Sequence, residues 1–424
     1  MKNFSWLILV FGLLLAGCKE DTDLAAPVST DNLAVTSTQN ITTVDGANTR
    51  MTCTTKTLPS GEIYQICKPA NWNGELVIYA HGYVLASERL SLPEEANTYG
   101  PLLVSQGYAF ATTSYSENGL AIQTGIEDII RLRKNFIQDY GEPKQIYLTG
   151  ISEGGIITTL ALERNPELFS GGLSLCGACG DFQGQLNYYG NFRVLFDYFF
   201  KGVLPGNAVT IPDQLIANWQ NIYVPAIQKA IRENSKATQK LLQTTQAPYD
   251  PNNLATIEQT IFSALWFNVF SSRDAANKLG GQPFDNRGTK YSGTGNAKED
   301  NQLNTKVQRF TANSEATKTI KKYYETTGNL NKPLVMGHTT QDPIQLFWNL
   351  PTYQIKTFFT GKSAYLTGIP VQRYGHCTFT EAEILTGFSV LLQKIKGQEA
   401  QARTMSAKPS DANGKIVQSV RVAQ

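Results

Sequence analysis

Residues 144–159 read Lys-Gln-Ile-Tyr-Leu-Thr-Gly-Ile-Ser-Glu-Gly-Gly-Ile-Ile-Thr-Thr and contain the pattern Gly150-x-Ser152-x-Gly154. The residues before Gly150 favour a strand, and those after Ser152 favour a helix. A serine on such a tight strand-to-helix turn exposes its hydroxyl at the end of a sheet, beside free backbone N–H groups. The stretch therefore predicts that Ser152 is a nucleophile on a sheet whose strands alternate with helices.

A serine hydroxyl is a weak nucleophile at neutral pH, so it needs a base within hydrogen-bond reach and an acid to orient that base. The chain has three histidines, His81, His338 and His376. His376 lies in the sequence Gly-His-Cys, in a loop after the last predicted strand, and we predict that it is the base. The alternative is a loop histidine with a structural hydrogen bond.

The orienting acid can be identified because few carboxylates precede His376. Between Glu325 and His376 the chain contains a single carboxylate, Asp342. It lies just past a predicted strand over residues 333–337, where an orienting acid is expected. We predict that Asp342 is this acid; the alternative is a turn or helix-cap aspartate before Pro343.

The rest of the chain alternates strand and helix patterns, which predicts an α/β fold with a mostly parallel sheet covered by helices on both faces. The predicted strands are residues 49–57, 62–68, 75–80, 108–115, 145–149, 171–176, 333–337 and 364–370, and the predicted helices are residues 92–106, 126–137, 152–164, 351–359 and 380–396.

Residues 177–329 break this alternation. They are rich in aromatic residues and carry helical patterns at 225–237 and 254–270, whereas residues 281–304 have the composition of a long loop. We predict a large, mainly helical cap insertion over the ends of the strands. The aromatic cluster at 188–200 either packs the core of this cap or lines a pocket.

The order Ser152, Asp342, His376 resembles that of the α/β-hydrolase superfamily, in which nucleophile, acid and base follow one another along the chain. The resemblance covers residues 48–176 and 330–397. The superfamily includes secreted bacterial serine hydrolases: esterases, lipases and prolyl-oligopeptidase-like peptidases. It implies the α/β-hydrolase fold, with a central sheet flanked by helices.

The same resemblance implies an oxyanion hole formed by two backbone N–H groups. One belongs to Glu153, which opens the helix after the nucleophile and whose N–H has no helical partner. The other belongs to Tyr83, in the loop that follows His81 and Gly82. The Glu153 carboxylate is expected to serve the helix end or a substrate contact, and His81 to shape the loop.

Residues 1–18 resemble a bacterial lipoprotein signal peptide, with a positive start, an apolar run and Leu-Ala-Gly before Cys18. This implies that Cys18 becomes a lipidated N-terminus; the alternative is an ordinary secretory signal. Lys-Glu-Asp at 19–21 resembles a sorting signal for the outer cell surface. Residues 19–47 are predicted to be a flexible tether and residues 398–424 a polar tail. No other stretch is long and apolar enough to span a membrane, so membrane contact is expected only through the lipid.

The remaining cysteines fit an exported protein. Cys53 and Cys67 flank a turn between two predicted strands, which predicts a hairpin disulfide. Cys377 can pair with either Cys176 or Cys179, which leaves one thiol free. In tannase-like esterases, cysteines adjacent to the catalytic serine and histidine tie the two loops together; here Ile151 precedes the serine, so the chain departs from that pattern.

Composition excludes several other functions. Hydrophobic residues make up 41% of the chain and charged residues 17%, with a net charge of +2 and no basic run with interleaved aromatics, so no nucleic-acid partner is expected. Gly293-Thr-Gly295 follows no predicted strand, so it is no dinucleotide site. No second cysteine or histidine pair lies at zinc spacing. We predict no cofactor and no metal.

These residues predict a serine hydrolase that cleaves carboxylic esters through an acyl-enzyme at the bacterial cell surface. Its substrates would be small or polymer-derived esters of polysaccharides, lipids or aromatic acids. A serine peptidase of the prolyl-oligopeptidase or aminopeptidase kind is the alternative, because it uses the same chemistry. A non-catalytic binding lipoprotein on a hydrolase scaffold is a third possibility. The sequence leaves the acyl and alcohol groups, motion of the cap as a lid and the oligomeric state open.

Overall fold

A computed structural model describes residues 35–44 and 50–406 of the chain. Outside the described residues lie the predicted signal peptide with Cys18, most of the tether and most of the polar tail. What the sequence indicates for these segments therefore remains a prediction. Within residues 35–44 and 50–406, no helix is long and apolar enough to cross a membrane.

A nine-stranded mixed sheet forms the centre of the fold. Its order is β1-β2-β3-β5-β4-β6-β7-β8-β9, antiparallel from β1 to β5 and parallel from β5 to β9. The strands are β1 (Ser37–Val44), β2 (Arg50–Thr57), β3 (Ile63–Pro69), β4 (Glu75–Ala80), β5 (Ala109–Thr113), β6 (Gln145–Ile151), β7 (Gly171–Leu175), β8 (Leu334–Gln341) and β9 (Leu366–Tyr374).

Helices cover both faces of this sheet. They are α1 (Ala96–Ser105), α2 (Ile122–Tyr140), α3 (Glu153–Arg164), α11 (Asn349–Phe359) and α12 (Glu381–Ser406), with a short 3₁₀ turn at Ser363–Tyr365. Helices α2, α3 and α11 pack on one face, and α1 and α12 on the other. Because both faces are covered, β5 and β7 are buried at every position and read as continuous apolar or small runs. This is the predicted α/β-hydrolase architecture.

A helical cap lies between β7 and β8, and it has its own hydrophobic core. The described residues of this segment form α4 (Phe182–Phe199), α5 (Asp213–Ala217), a π-helical turn (Trp219–Tyr223), α6 (Val224–Glu233), α7 (Ser235–Thr245), α8 (Ala255–Lys278), α9 (Ala297–Lys306) and α10 (Ser314–Tyr323). Phe192 and Phe196 of the aromatic cluster are fully buried in the cap core. Tyr189 from the same cluster belongs to this core and also lines a cavity at Ser152.

Several segments differ from the sequence-based expectations. Strands β8 and β9 each run four residues past their predicted ends at 337 and 370. Residues 37–44, expected in the tether, form β1, because they pair with β2 along their whole length although their polar sequence shows no apolar alternation. Helix α12 runs on to Ser406, into the expected tail, because residues 398–404 are mostly strong helix formers. Helix α9 begins within the expected loop at 281–304, where the Asn296 side chain caps its first turn.

Candidate active site

The turn between β6 and α3 places Ser152 at the end of the sheet. Ser152 has φ 57° and ψ −118°, a conformation that L-residues rarely adopt. The flanking glycines permit this turn, because a Cβ on Gly154 would overlap the carbonyl oxygen of Ala80 and one on Gly150 would overlap that of Gly154. The strained turn is therefore built for the exposed position of the serine hydroxyl.

A continuous chain of hydrogen bonds joins the three residues predicted to act together. His376 Nε2 lies 2.8 Å from Ser152 Oγ, and His376 Nδ1 lies 2.7 Å from Asp342 Oδ2. Asp342 is fully buried, and its Oδ1 accepts hydrogen bonds from the backbone N–H groups of Ile344 and Gln345, each at 2.9 Å. The second oxygen is thereby fixed toward the imidazole.

The parallel sheet explains how residues so far apart in sequence meet. Ser152 follows β6, Asp342 follows β8 and His376 lies two residues after β9. These strands are parallel and close together in the sheet, so their carboxyl ends share one edge. Sequence reasoning could place the three residues at this edge because each one follows a recognisable strand.

Sequence reasoning assigned no role to His338, which lies beside the acid. His338 is fully buried in β8; its Nε2 donates to the carbonyl oxygen of Gln345 at 2.6 Å and lies 3.8 Å from Asp342 Oδ2. Burial lowers the pKa of His338, so the ring is neutral and braces the loop that carries Asp342. A four-residue spacing along a strand gives no sign of this contact, which depends on the turn that follows β8.

The loop after β4 lies directly against Ser152. A Cβ built on Gly82 would lie 3.3 Å from Ser152 Cβ and 3.8 Å from Ser152 Oγ. Neither the N–H of Tyr83 nor that of Glu153 donates a hydrogen bond within the part of the chain that the structure describes. Both remain available to an oxyanion.

The ring of His81 gives this loop its shape. It stacks on Tyr115 with ring centroids 3.9 Å apart, and the Tyr115 hydroxyl donates to the His81 carbonyl oxygen at 3.1 Å. His81 Nδ1 lies 2.7 Å from the carbonyl oxygen of Gly82. These contacts agree with the expected loop-shaping role.

The Glu153 side chain lies beside Ser152. It is 7% exposed and accepts a hydrogen bond from the backbone N–H of Ala121 at 2.9 Å. Burial raises the pKa of Glu153 to about 8, although the hydrogen bond and the Lys278 ammonium lower it in part. The group therefore carries a proton at neutral pH, and no negative charge lies next to the serine.

A small cavity of about 60 Å³ opens at Ser152. Its walls are mostly apolar, and the cap contributes Tyr189, Phe267 and Ser271. Two polar atoms in these walls, the Tyr83 hydroxyl and Gln345 Oε1, are buried without a hydrogen-bond partner. A group that enters this cavity meets an apolar environment with a few polar anchors, as ligand pockets usually offer.

Helix α8 of the cap spans the site from one end to the other. Near its start, the hydroxyl of Thr260 lies 2.9 Å from the hydroxyl of Tyr374, two residues before His376. Near its end, Asp274 accepts a hydrogen bond from the backbone N–H of Leu120 at 2.6 Å. The cap is therefore tied to the core on both sides of the cavity.

The described residues form two disulfides. Cys53 and Cys67 pair directly across the β2–β3 hairpin, as predicted. Cys176, at the end of β7, is bonded to Cys377. Cys179 is free and buried, and burial raises the pKa of its thiol to about 11. The histidine loop is therefore tied to the end of β7, the neighbour of the nucleophile strand.

A family model described as a tannase-like family of unknown function (DUF6351) matches residues 40–318, which is more than half of the chain. The chain therefore belongs to this tannase-like family. The comparison with curated proteins gave no match.

Several solved structures share a similar chain trace. An esterase from Aspergillus oryzae has 12% identity and a TM-score of 0.44, covering 88% of this chain and 88% of its own. The rice cell wall degrading esterase of Xanthomonas oryzae has 16% identity and a TM-score of 0.40, covering 86% and 95%. The acylaminoacyl peptidase of Pyrococcus horikoshii has 13% identity and a TM-score of 0.38, covering 81% of this chain; the match spans only 38% of that peptidase.

Proposed function

We propose that this member of the tannase-like family is a serine hydrolase that cleaves carboxylic esters through an acyl-enzyme. The observation that carries the proposal is the hydrogen-bond chain from Ser152 Oγ through His376 to Asp342, at 2.8 Å and 2.7 Å. A nucleophile, a base and an orienting acid at these distances have the geometry of acyl transfer.

In this mechanism Ser152 attacks the ester carbonyl while His376 Nε2 accepts its proton. Asp342 holds the imidazole in the tautomer with a proton on Nδ1 and stabilises the imidazolium that forms. The developing oxyanion is bound by the N–H groups of Glu153 and Tyr83, at the positive end of α3. His376 then donates the proton to the departing alcohol, and water repeats the sequence to release the acid.

The cavity favours an ester with a short acyl group. Its volume of about 60 Å³ corresponds to roughly four to six water molecules, since each needs about 10–15 Å³ by this measure. Apart from the tyrosine hydroxyls, Glu153 is the one ionisable group among the described residues that line it, and its carboxyl already binds the Ala121 N–H. A peptide terminus would lack a free charged anchor, so the ester is favoured over the peptide. Membership of a tannase-like family supports the same choice, because a tannase is an ester hydrolase.

Activity-based labelling tests the chemistry. A fluorophosphonate should label the wild-type protein, and Ser152→Ala and His376→Ala should abolish labelling while the variants remain folded. Labelling that persists in Ser152→Ala would refute Ser152 as the nucleophile. A series of p-nitrophenyl esters should then show highest kcat/KM for acetyl to butyryl groups, whereas dipeptidyl and aminoacyl anilides should react far more slowly.

We further propose that the enzyme is exported and anchored to the outer membrane, facing outward, through a lipid on Cys18. The sequence around Cys18 supports this proposal. Cells fed with a radiolabelled or alkynyl fatty acid should incorporate it into the wild-type protein but not into Cys18→Ser. Protease added to intact cells should degrade the protein if it faces outward; full protection would contradict surface exposure.

A further inference from the structure

A second cavity, much larger than that at Ser152, lies between the cap and the core. Its volume is about 400 Å³, within the range of about 300–1,000 Å³ that ligand sites usually have. The cap contributes α4, the end of α7 and the loop at 289–292, while the core contributes Thr340 and the stretch 346–348. Ligand sites form preferentially at such boundaries between two packed units.

The lining of this cavity offers hydrogen-bonding groups that the protein does not use. Three half-buried groups in the lining make no hydrogen bond to any other residue that the structure describes: the indole N–H of Trp348, the hydroxyl of Thr289 and the Nδ2 of Asn191. Tyr291, by contrast, has its hydroxyl engaged with the Asn191 Oδ1 at 2.6 Å. All of these groups can donate a hydrogen bond, and the hydroxyl of Thr289 can also accept one.

Aromatic rings form the other part of the lining. Trp348 and Phe347 are partly exposed at the core side, and Tyr188 and Phe192 are buried at the cap side. No carboxylate among the described residues lines the cavity, and its one cation, Lys290, is near Asp300. The cavity therefore combines flat apolar faces with neutral hydrogen-bonding groups.

We propose that this cavity binds a neutral oligosaccharide. A pyranose ring has an apolar C–H face that packs on an aromatic ring and a rim of hydroxyls that both donate and accept hydrogen bonds. Those are the two kinds of surface that Trp348, Asn191 and Thr289 present. A strongly anionic or cationic ligand would find no matching set of charges here. The proposal goes beyond ester hydrolysis and does not require it.

The cavity lies back to back with the cavity at Ser152. Tyr188 lines the larger cavity, and its neighbour Tyr189 lines the smaller one. Likewise, Leu346 lines the larger cavity and Gln345 the smaller one. The Tyr188 hydroxyl donates to the carbonyl oxygen of Pro343 at 3.1 Å, next to Asp342. A sugar bound here would hold a polysaccharide chain on the enzyme without occupying the place of the acyl group.

Calorimetric titration of the full-length Ser152→Ala variant tests the proposal, with xylohexaose, cellohexaose and mannohexaose as neutral probes and hexagalacturonate as the acidic one. At least one neutral probe should bind. Trp348→Ala should weaken that binding about tenfold or more, because it removes the ring face and the N–H. Thr289→Val, which keeps the side-chain shape, should weaken it several-fold even if Trp348→Ala fails to fold.

Phe358→Ala is the matched control, since Phe358 is an exposed aromatic residue in α11 that does not line the cavity. The affinity of the Phe358→Ala variant for the probe should stay within twofold of the affinity of its parent protein. Wild-type protein whose Ser152 has been blocked by a fluorophosphonate should also bind the probe unchanged. Absence of binding by all neutral probes, binding of hexagalacturonate alone, or loss of binding on Ser152 blockade would overturn the proposal. Because the titration uses Ser152→Ala, it can succeed where the proposed hydrolysis fails.

Discussion

The carboxyl of Glu153 accepts a hydrogen bond from the backbone N–H of Ala121, 2.9 Å away, although Glu153 directly follows the proposed nucleophile. The contact joins the first residue of α3 to the loop that precedes α2. An ionised carboxylate at this place would oppose the oxyanion that Ser152 is expected to create. We therefore expect the proton that burial keeps on Glu153 to favour the proposed activity at neutral pH.

The pKa of Glu153, raised from 4.5 to about 8, predicts an alkaline loss of activity. Above pH 8 the carboxyl ionises and its charge disfavours the oxyanion, so wild-type kcat/KM should fall. Glu153→Gln keeps an acceptor for Ala121 but cannot ionise, so its kcat/KM should hold to higher pH. A pH–rate profile from pH 6 to 10 checks this; identical alkaline limbs in both proteins would rule out Glu153 as their cause.

The same shift predicts a stability change with pH. The folded protein holds the Glu153 proton between pH 4.5 and about 8 while the unfolded chain has lost it, so stability falls as pH rises through this window. Thermal melts of wild type and Glu153→Gln at pH 5 and pH 9 test this. The Tm of Glu153→Gln minus the Tm of wild type should be several degrees higher at pH 9 than at pH 5. The same Tm difference at both pH values would contradict the raised pKa of Glu153.

Asp342→Asn should lower kcat by about 10³–10⁴-fold with little loss of folding. The amide oxygen can still accept the N–H groups of Ile344 and Gln345, but the amide nitrogen faces His376 Nδ1 and favours the wrong tautomer. Steady-state kinetics with p-nitrophenyl acetate and a thermal melt measure the two effects. A kcat within tenfold of wild type would remove Asp342 from the proposed triad.

Replacing both Cys176 and Cys377 by serine should lower both Tm and turnover. The bond closes a loop with a sequence separation of 201, and loss of such a bond typically costs about 2–5 kcal/mol. It also releases the residue next to His376. Replacing Cys53 and Cys67 is the matched control, because their bond lies within the β2–β3 hairpin. The control should lose stability but retain kcat; equal kcat losses in both variants would contradict a specific role for Cys377.

Gly154→Ala should reduce the free energy of unfolding by about 3 kcal/mol or more, because the new Cβ would overlap the carbonyl oxygen of Ala80. Gly288→Ala is the control, since its Cβ would meet no atom within 4 Å, and it should change stability by less than about 0.5 kcal/mol. Urea denaturation compares the two. Near-wild-type stability of Gly154→Ala would show that the turn can relax.

The sequence predicted the core of the site because local patterns determine it. Ser152 and Asp342 each follow a strand with a clear apolar pattern, His376 follows the last predicted strand, and parallel strands bring such positions to one edge. Other features depend on contacts that leave no local pattern. Strand β1 exists through pairing with β2, and the choice of Cys176 over Cys179 depends on the position of β7 in the sheet. The cavities depend on how the cap packs, which no periodicity encodes.

The bond between Cys176 and Cys377 also changes what proteolysis can do to this protein. It encloses the whole cap, since residues 177–376 lie between the two bonded cysteines. A protease that cuts any surface loop of the cap leaves Ser152 on one fragment and His376 on the other, yet both fragments stay covalently joined. A nicked molecule would therefore migrate as two pieces only after reduction, and its severed halves would keep the nucleophile and the base within reach of each other.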